Sequence, residues 1–345
     1  MKDGPFDPVC SEPAVGNLPP TPWITTRPFM FINLRSPVML ELLREVERYA
    51  PSAASVLITG ESGVGKESVA RWLHDCSART KLPYVRVNCA ALTETLIESE
   101  LIGHESGAFT GAHHTRVGRF ELAGQGTLFM DEVGELSWRC QAKLLRALEE
   151  REYERVGGNA TLRFQARVVS ATNRNLEESM RLKEFRLDLY HRLGVFLIHV
   201  PPLRDRPDDI PGIALTILQR LREQSETQVE SISPEALEWL QEQPWPGNIR
   251  QLRNLLHAAA VLTIGPRIEV EALRRQTERV AAGLEASSDA TPDAMSRTLE
   301  EIEHDAILDR LKVFNGNKTL TARDLGVTPR TIRNKLRTDR STKSA

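Results

Sequence analysis

The most constraining feature of this 345-residue sequence is a glycine-rich segment between a short apolar run and a helical pattern. Residues 55–59 (SVLIT) predict a buried strand, and residues 67–73 predict a helix. Glycines at such a junction let backbone N–H groups crowd around an anion, and the helix N-terminus adds positive potential. The segment therefore predicts a P-loop, with a fortuitous glycine-rich turn as the alternative. Its residues are Gly60, Glu61, Ser62, Gly63, Val64, Gly65, Lys66 and Glu67.

Within this segment the Lys66 ammonium is placed to neutralise the β- and γ-phosphates of ATP. Glu67 stands where P-loops usually carry Ser or Thr, so the usual hydroxyl ligand of Mg²⁺ is missing. A second apolar run, residues 127–131 (TLFMD), ends in two adjacent acids. Asp131 is placed to hold Mg²⁺ through water, and Glu132 to orient or deprotonate an attacking water. Acids at strand ends also often face solvent, but a P-loop upstream favours an ATPase site.

The order of the predicted elements indicates the fold class. Three further apolar runs, at residues 84–88, 167–171 and 196–200, alternate with helical patterns, as parallel strands covered on both faces do. We predict an α/β P-loop ATPase with a five-stranded parallel sheet, then a helical lid and a small all-α domain. The predicted segments are a Pro-rich arm (1–32), an α/β subdomain (33–201), an all-helical lid without further strands (202–281), a linker (282–294) and a C-terminal domain (295–345).

The C-terminal domain carries a concentration of basic charge and a helix-turn-helix pattern. Residues 310–345 contain ten Lys or Arg and two acids, the usual footprint of a DNA contact, although a solvated basic tail is the alternative. Thr328 as N-cap and Pro329 at N1 open the second helix. A three-helix protein-interaction module is a further alternative. The candidate DNA contacts are Arg330, Arg333 and Asn334 for base edges, Lys335 and Arg337 for phosphates, and Thr328 and Thr331 beside them.

Composition excludes several other classes. Four cysteines without CxxC spacing are typical of reduced thiols rather than a disulfide scaffold. No apolar run approaches the roughly 18–20 residues that span a bilayer, and the N-terminus lacks the pattern of a secretory signal. We therefore expect a cytoplasmic protein without a membrane partner.

Four motifs together resemble the AAA+ domain of sigma-54-dependent activators, also called bacterial enhancer-binding proteins. They are GESGVGKE at 60–67, GAFTGA at 107–112, TLFMDE at 127–132 and WPGNIR at 245–250, and the resemblance covers residues 33–280. Residues 315–336 (NGNKTLTARDLGVTPRTIRNKL) resemble the Fis-type helix-turn-helix of the same activators. Glutamate after the P-loop lysine is normal in that family, so Glu67 fits the resemblance.

The resemblance implies roles for residues that would otherwise pass as ordinary strand-end or surface side chains. Asn88 would hold the catalytic glutamate, Thr172 and Asn173 would form the first sensor beside the γ-phosphate, and Arg250 would be the second sensor, reaching from the lid. Arg186 and Arg192 would be offered in trans to the nucleotide of the next subunit. The family forms hexameric rings, so the resemblance implies a homo-hexamer that binds ATP and Mg²⁺.

The GAFTGA residues would be the contact with sigma-54. Read alone, they could equally form an ordinary turn with its aromatic tucked into the core. Two flanking positions depart from the family pattern and could alter the mobility of the loop: Ile102 stands where Phe is usual, and Ser106 where Lys is common. The implied loop residues are Gly107, Ala108, Phe109, Thr110, Gly111 and Ala112.

The expected function is activation of transcription, in which upstream DNA is bound and ATP hydrolysis remodels sigma-54 RNA polymerase from a closed to an open complex. Another AAA+ remodeller and a DNA-binding regulator with a degenerate ATPase site are the alternatives. The arm before the AAA+ domain is too short for a receiver or sensory domain. We therefore expect control in trans, by a regulatory protein, a paired homologous activator or expression level.

Overall fold

The computed structural model describes residues 34–90 and 94–288, together with isolated positions between 311 and 322. The chain divides into two compact units, residues 1–276 and 277–345, and the sheet, hairpins and lid described below belong to the first. Within the described residues no helix is long and apolar enough to cross a membrane.

The strands and helices follow one another along the chain in the alternation that the sequence predicts. The strands are β1 (Val56–Thr59), β2 (Tyr84–Asn88), β3 (Gly103–His104), β4 (Arg116–Val117), β5 (Thr127–Asp131), β6 (Glu152–Glu154), β7 (Thr161–Arg163), β8 (Arg167–Thr172), β9 (Phe196–His199), β10 (Ser231–Ile232) and β11 (Arg267–Ile268). The helices are α1 (Pro37–Tyr49), α2 (Lys66–Asp75), α3 (Glu94–Ile102), α4 (Arg119–Ala123), α5 (Trp138–Glu150), α6 (Leu176–Arg181), α7 (Leu187–Leu193), α8 (Ile210–Glu223), α9 (Pro234–Gln241), α10 (Asn248–Leu262) and α11 (Val270–Ser288).

Five strands form one parallel sheet in the order β2-β5-β8-β1-β9. The predicted α/β fold with a five-stranded parallel sheet is therefore confirmed, and each strand begins and ends within one residue of its predicted bounds. Parallel strands end at a common edge, so the residues that follow β1, β5 and β8 are brought together there.

The sheet is covered on both faces, which explains why its strands are continuous apolar runs. Along β1 the side chains alternate: Val56 and Ile58 pack in the cluster that includes α1 and α2, and Leu57 packs in the cluster that includes α5 and α7. All three are completely buried. Burying each such side chain contributes about 1.5–3 kcal/mol, so these two clusters hold the sheet as a rigid frame.

Two small antiparallel hairpins project from the α/β layer, and the sequence analysis did not foresee them. In the first, β3 pairs with β4 and carries residues 105–115 between its strands. In the second, β6 pairs with β7. A parallel bridge between His104 and Val156 joins the two hairpins. Strands of two or three residues are too short to show a hydrophobic period, which is why they escape sequence analysis.

The lid consists of α8 to α10 and the first part of α11, and it also contains a short parallel pair, β10 with β11. The expectation of a lid without strands is therefore wrong. The pair is only two residues long, but it places Ser233, whose hydroxyl accepts a hydrogen bond from Ala236 N at 3.2 Å and caps α9.

Helix α11 continues to Ser288, where the sequence predicts a linker from residue 282. The small residues of this stretch suggest flexibility, but Ala, Leu and Glu are strong helix formers and continue the helix that begins at Val270. Residues 289–294 and the predicted arm at 1–32 lie outside the described residues.

Candidate nucleotide-binding site

The P-loop connects β1 to α2, as predicted, and two of its glycines are required by geometry. Gly65 precedes α2 with a φ of 106°, and Gly63 has a φ of 79°. A Cβ added at Gly63 would lie 2.5 Å from the Gly247 carbonyl oxygen, so only glycine lets the P-loop approach the lid this closely. The P-loop is thus packed directly against the start of α10.

Lys66 is the first residue of α2, and its side chain is almost fully buried. Its ammonium donates to the carbonyl oxygens of Gly60 at 2.8 Å and Glu61 at 3.1 Å. It also lies 3.8 Å from a Glu132 carboxylate oxygen. Burial lowers the pKa of Lys66, and the nearby Glu132 and Asp131 carboxylates oppose that shift. A cation held by carbonyl oxygens inside a glycine loop can turn to a phosphate at little cost.

Asp131 and Glu132 lie at the end of β5, facing Lys66. Burial, followed by the adjacent Glu132 charge, raises the pKa of Asp131, which means that its ionised form lacks sufficient counter-charge. Glu132 adopts the left-handed region with a φ of 53°, and its carboxylate accepts a hydrogen bond from Asn173 N at 3.0 Å. This backbone conformation is uncommon outside glycine and asparagine, and it turns the side chain back toward the P-loop residues.

The predicted first sensor and the asparagine predicted to hold the catalytic glutamate lie at the ends of the strands next to β5. Thr172 is completely buried at the end of β8, and its hydroxyl accepts from Arg174 N at 3.1 Å. Asn88 ends β2 in register with Asp131, and its side chain accepts from Ala90 N at 2.9 Å. The Glu132 carboxylate is thus held by Asn173 N in this structure, while the Asn88 side-chain oxygen binds its own strand end.

The two arginines predicted to act in trans lie at opposite ends of α7 and outside the cavity lining. Arg186 precedes α7, pairs with Asp188 at 2.7 Å and stacks over the Trp138 ring at 5.3 Å. Arg192 donates to the Leu148 carbonyl oxygen at 3.0 Å. Neither arginine is placed to serve the P-loop of its own chain.

The lid reaches the P-loop through the residues of the WPGNIR motif. Ile249 N donates to the Gly63 carbonyl oxygen at 3.0 Å. The Arg250 guanidinium donates to the Ser62 hydroxyl at 2.8 Å, which places the predicted second sensor at the mouth of the loop. Asn248 is completely buried and donates to Ser62 O at 3.0 Å.

Three further residues at this junction were missed by the sequence analysis as site residues. Arg204 forms a bidentate pair with Glu61 at 2.6 and 2.9 Å, and Asn248 donates to the same carboxylate at 3.0 Å. Arg206 is almost fully buried and donates to the Val64 carbonyl oxygen at 2.8 Å. The motif contains Asn248, but nothing in the sequence pairs residues so far apart.

Between the P-loop and the lid lies a cavity of about 850 Å³, large enough for a nucleotide. Ile213, Ile217 and Ile249 give it an apolar wall on the lid side, suited to a flat aromatic base. Its charged lining is predominantly cationic, as a polyphosphate requires. The cations are Lys66, Arg71, Arg86, Arg220, Arg250 and Arg253, and the acids are Glu67, Asp131, Glu132 and Glu226.

The GAFTGA residues occupy the β3–β4 hairpin, away from this cavity. Gly107 and Gly111 have φ values of 83° and 101°, and Gly107 N donates to Ala112 O at 2.7 Å to close the turn. Phe109 is 40% exposed and makes an edge contact with the His104 ring, with centroids 5.0 Å apart. The alternative of a turn with this aromatic tucked into the core is therefore wrong. Thr110, next to it, is exposed.

The two positions that depart from the family pattern have clear places. Ile102 ends α3 with its side chain buried in the core cluster beside the sheet, so the position is filled by an apolar side chain here as it is where the family has Phe. Ser106 helps to close the base of the loop: its hydroxyl donates to His113 O at 3.1 Å, and its N donates to the Thr115 hydroxyl at 3.3 Å.

The candidate DNA contacts, from Thr328 to Arg337, lie outside the described residues. Their assignment remains a prediction from the sequence.

Comparisons with known proteins agree with this architecture. Residues 32–199 match the family model of the sigma-54 interaction domain, residues 204–290 that of the AAA+ ATPase lid domain, and residues 298–338 that of bacterial regulatory proteins of the Fis family. The transcriptional regulatory protein ZraR of Escherichia coli K12 is 46% identical over 316 residues, which cover 92% of this chain and 70% of ZraR.

Two further relatives extend the comparison. The transcriptional regulatory protein FlbD of Caulobacter vibrioides is 43% identical over 314 residues, covering 88% of this chain and 69% of FlbD. The crystal structure of NtrX from Brucella abortus in complex with ATP superposes with a TM-score of 0.65 at 34% identity, covering 89% of this chain and 69% of NtrX. With an AAA+ ATPase-type domain, its lid and a Fis-type helix-turn-helix, the chain belongs to the sigma-54-dependent transcriptional activators.

Proposed function

We propose that this chain hydrolyses ATP in the cavity between P-loop and lid, and uses that energy through the GAFTGA loop to open promoters bound by sigma-54 RNA polymerase. The observation that carries the proposal is the convergence of Lys66, Asp131 and Glu132 on one cavity, in a chain that also carries the GAFTGA residues on a separate hairpin. NtrX, a relative with the same fold, has been solved with ATP bound, which supports ATP as the nucleotide.

The residues of the cavity have distinct tasks in this proposal. Lys66 leaves its carbonyl partners to neutralise the β- and γ-phosphates. Asp131, whose raised pKa reflects missing counter-charge, fits a divalent cation held through water, and Mg²⁺ when bound neutralises developing phosphate charge. Glu132 orients the attacking water and takes its proton. Thr172 and Asn173 at the end of the neighbouring strand β8 sense the state of the phosphate, and Arg250 reports it to the lid. Asn88 holds Glu132 and links the nucleotide state to movement.

The arginines at the two ends of α7 complete the site of a neighbouring subunit. Arg186 and Arg192 lie outside the cavity of their own chain, so the proposed hydrolysis needs a ring, and we infer a homo-hexamer. A trans-acting regulatory protein or a paired homologous activator would act on this assembly. Upstream DNA is bound by the helix-turn-helix residues Thr328, Arg330, Thr331, Arg333, Asn334, Lys335 and Arg337.

The loop is suited to gripping a protein partner. Phe109 offers a large contact surface at low entropic cost, and Thr110 stands exposed beside it. The base of the hairpin is tied to the second hairpin by polar contacts, among them an Arg155–Glu105 pair at 2.7 Å. Such contacts permit the loop to move as a unit.

Open-complex formation in vitro tests the proposal, using purified sigma-54 RNA polymerase, ATP and a sigma-54 promoter. The wild-type chain should open the promoter. Thr110→Ala should hydrolyse ATP without opening it, and Lys66→Ala should do neither while still binding DNA. Thr80→Ala, at an exposed threonine outside the loop, is the matched control and should behave as wild type. Clear ATPase activity and a hexamer without promoter opening by the wild-type chain would overturn sigma-54 remodelling.

A further inference from the structure

We propose that Glu61, Arg204 and Asn248 form a latch that positions the lid on the P-loop and thereby sets the affinity of the site for nucleotide. The inference rests on the proposed nucleotide site and assigns it three positioning residues. None of the three lines the cavity, so each acts through the backbone that does.

The centre of the latch is the Glu61 carboxylate. Arg204, in the connection that leads to the lid, donates to its two oxygens at 2.9 and 2.6 Å, a bidentate geometry that fixes orientation as well as distance. Asn248, the first residue of α10, donates to one of the same oxygens at 3.0 Å. The Glu61 side chain in the P-loop is therefore bound by two residues, Arg204 and Asn248, from two segments that follow the last strand of the sheet.

Asn248 is built into this position. Its side chain is completely buried, and its φ is 50°. Its three hydrogen bonds reach two separate segments: it donates to Glu61 and Ser62 in the P-loop, and it accepts from Leu203 N at 2.7 Å. Asparagine tolerates the left-handed region and supplies both two donors and an acceptor. An aspartate would lose the donors, and an alanine would leave Leu203 N unpaired.

The latch is connected to the residue that meets phosphate. The Glu61 carbonyl oxygen accepts the Lys66 ammonium at 3.1 Å, so the grip on the Glu61 side chain also fixes one of the groups that hold Lys66. On the lid side, Asn248 is followed directly by Ile249 and Arg250, which bind Gly63 O and the Ser62 hydroxyl. Fixing Glu61 therefore orients both walls of the cavity.

The contact is tuned for positioning more than for holding the fold together. The Glu61 and Arg204 side chains are 41% and 46% exposed, and exposed pairs contribute little to stability. The buried Arg206–Val64 bond and the Ile249–Gly63 bond join lid and P-loop without them. Hydrogen bonds from Arg204 and Asn248 lower the pKa of Glu61 to about 2, so the Glu61 carboxylate is ionised at neutral pH.

The test uses the full chain with Glu61→Gln, Arg204→Ala and Arg204→Lys. Arg181→Ala is the matched control, because Arg181 also pairs with a glutamate at 2.6 Å but lies on α6, away from the cavity. Steady-state ATPase assays should show KM raised about threefold to tenfold in Glu61→Gln and Arg204→Ala, with kcat within about twofold of wild type. This is the range for a hydrogen bond of ordinary net strength, because the pair is half exposed and solvent weakens its charge assistance. Arg204→Lys, which keeps the charge without the bidentate grip, should fall between, and Arg181→Ala should match wild type.

Hydrogen exchange supplies a readout that needs no catalysis. The Ile249 amide, which donates to Gly63 O, should exchange about tenfold faster in nucleotide-free Glu61→Gln, while amides of β5 and β8 keep their wild-type rates. The double variant Glu61→Gln/Arg204→Ala should raise KM and Ile249 exchange no further than either single variant does, because the two substitutions remove the same contact.

These readouts separate the latch from the proposed function. If wild type hydrolyses no ATP, the proposed function fails, and ADP affinity by calorimetry with Ile249 exchange still decides the latch. The latch is overturned if KM and ADP affinity stay at wild-type values in Glu61→Gln and Arg204→Ala. It is equally overturned if Ile249 exchange rises only together with exchange across the whole sheet, which would make the contact merely structural.

Discussion

The close approach of Gly63 in the P-loop to Gly247 in the lid predicts that the variant Gly63→Ala loses much of its stability. At Gly63 the φ of 79° alone costs an L-residue about 1–2 kcal/mol. The added Cβ would also lie 2.5 Å from Gly247 O and 3.1 Å from the Arg250 Cβ, and such overpacking costs about 1–3 kcal/mol more. We therefore expect the free energy of unfolding to fall by about 2–5 kcal/mol.

A matched variant separates these two contributions. Gly107 has a nearly equal φ of 83°, but an added Cβ there meets no atom within 4 Å. Gly107→Ala should therefore lose only the stability that the strained backbone conformation costs. Urea titrations followed by circular dichroism should place Gly63→Ala below Gly107→Ala by about 1–3 kcal/mol at unchanged slope. Equal losses in the two variants would refute the close approach of the Gly63 and Gly247 backbones.

Three further predictions concern the frame and the hairpins. Arg167→Met should lower the free energy of unfolding by about 3 kcal/mol in a urea titration, because the buried Arg167 guanidinium donates to three carbonyl oxygens at the end of α1 and just after it. The control Arg163→Met, at an exposed position, should lower it by less than about 0.5 kcal/mol. Burial lowers the pKa of His74, so its contribution to the free energy of unfolding should be constant above the unfolded pKa of about 6.5 and should fall as the pH drops below it. His74→Gln should flatten this slope in thermal melts from pH 7.5 to 5.5. A slope that the substitution leaves unchanged would contradict the assignment. Gly157→Ala would bring a Cβ within 2.7 Å of the Ala108 Cβ and should speed proteolysis of residues 105–115, while the unobstructed Gly265→Ala should leave the digestion pattern as in wild type.

The parts of the site that follow strands were predictable because they are local in sequence. Asp131 and Glu132 come directly after an apolar run, and the parallel sheet brings that strand end beside the P-loop. Parallel pairing itself was predictable because strands buried on both faces leave no polar alternation. For these residues sequence spacing and the three-dimensional arrangement carry the same information.

The contacts across the cavity were not predictable for the opposite reason. Arg204 lies 143 residues from Glu61, and Asn248 lies 187 residues from it. Each residue type is common on protein surfaces, so neither composition nor period marks them as partners. Asn88 shows the same limit: its strand-end position was predicted, but the rotamer that directs its oxygen to Ala90 N depends on local backbone geometry.

The distribution of contacts divides the molecule into a rigid frame and movable parts. The sheet is held by two apolar clusters in which side chains such as Phe129 and Leu128 are almost entirely buried, and such cores have one packed arrangement. The lid latch and the hairpin base are instead tied by partly exposed ion pairs, Glu61 with Arg204 and Glu105 with Arg155. Pairs of this kind contribute about 1 kcal/mol or less. A bound nucleotide can bias such contacts by its differential affinity for two positions of the lid, whereas it cannot repack the sheet. We therefore expect motion driven by the proposed ATPase cycle at the lid and at the hairpin, where polar contacts can break at low cost, while the sheet stays fixed.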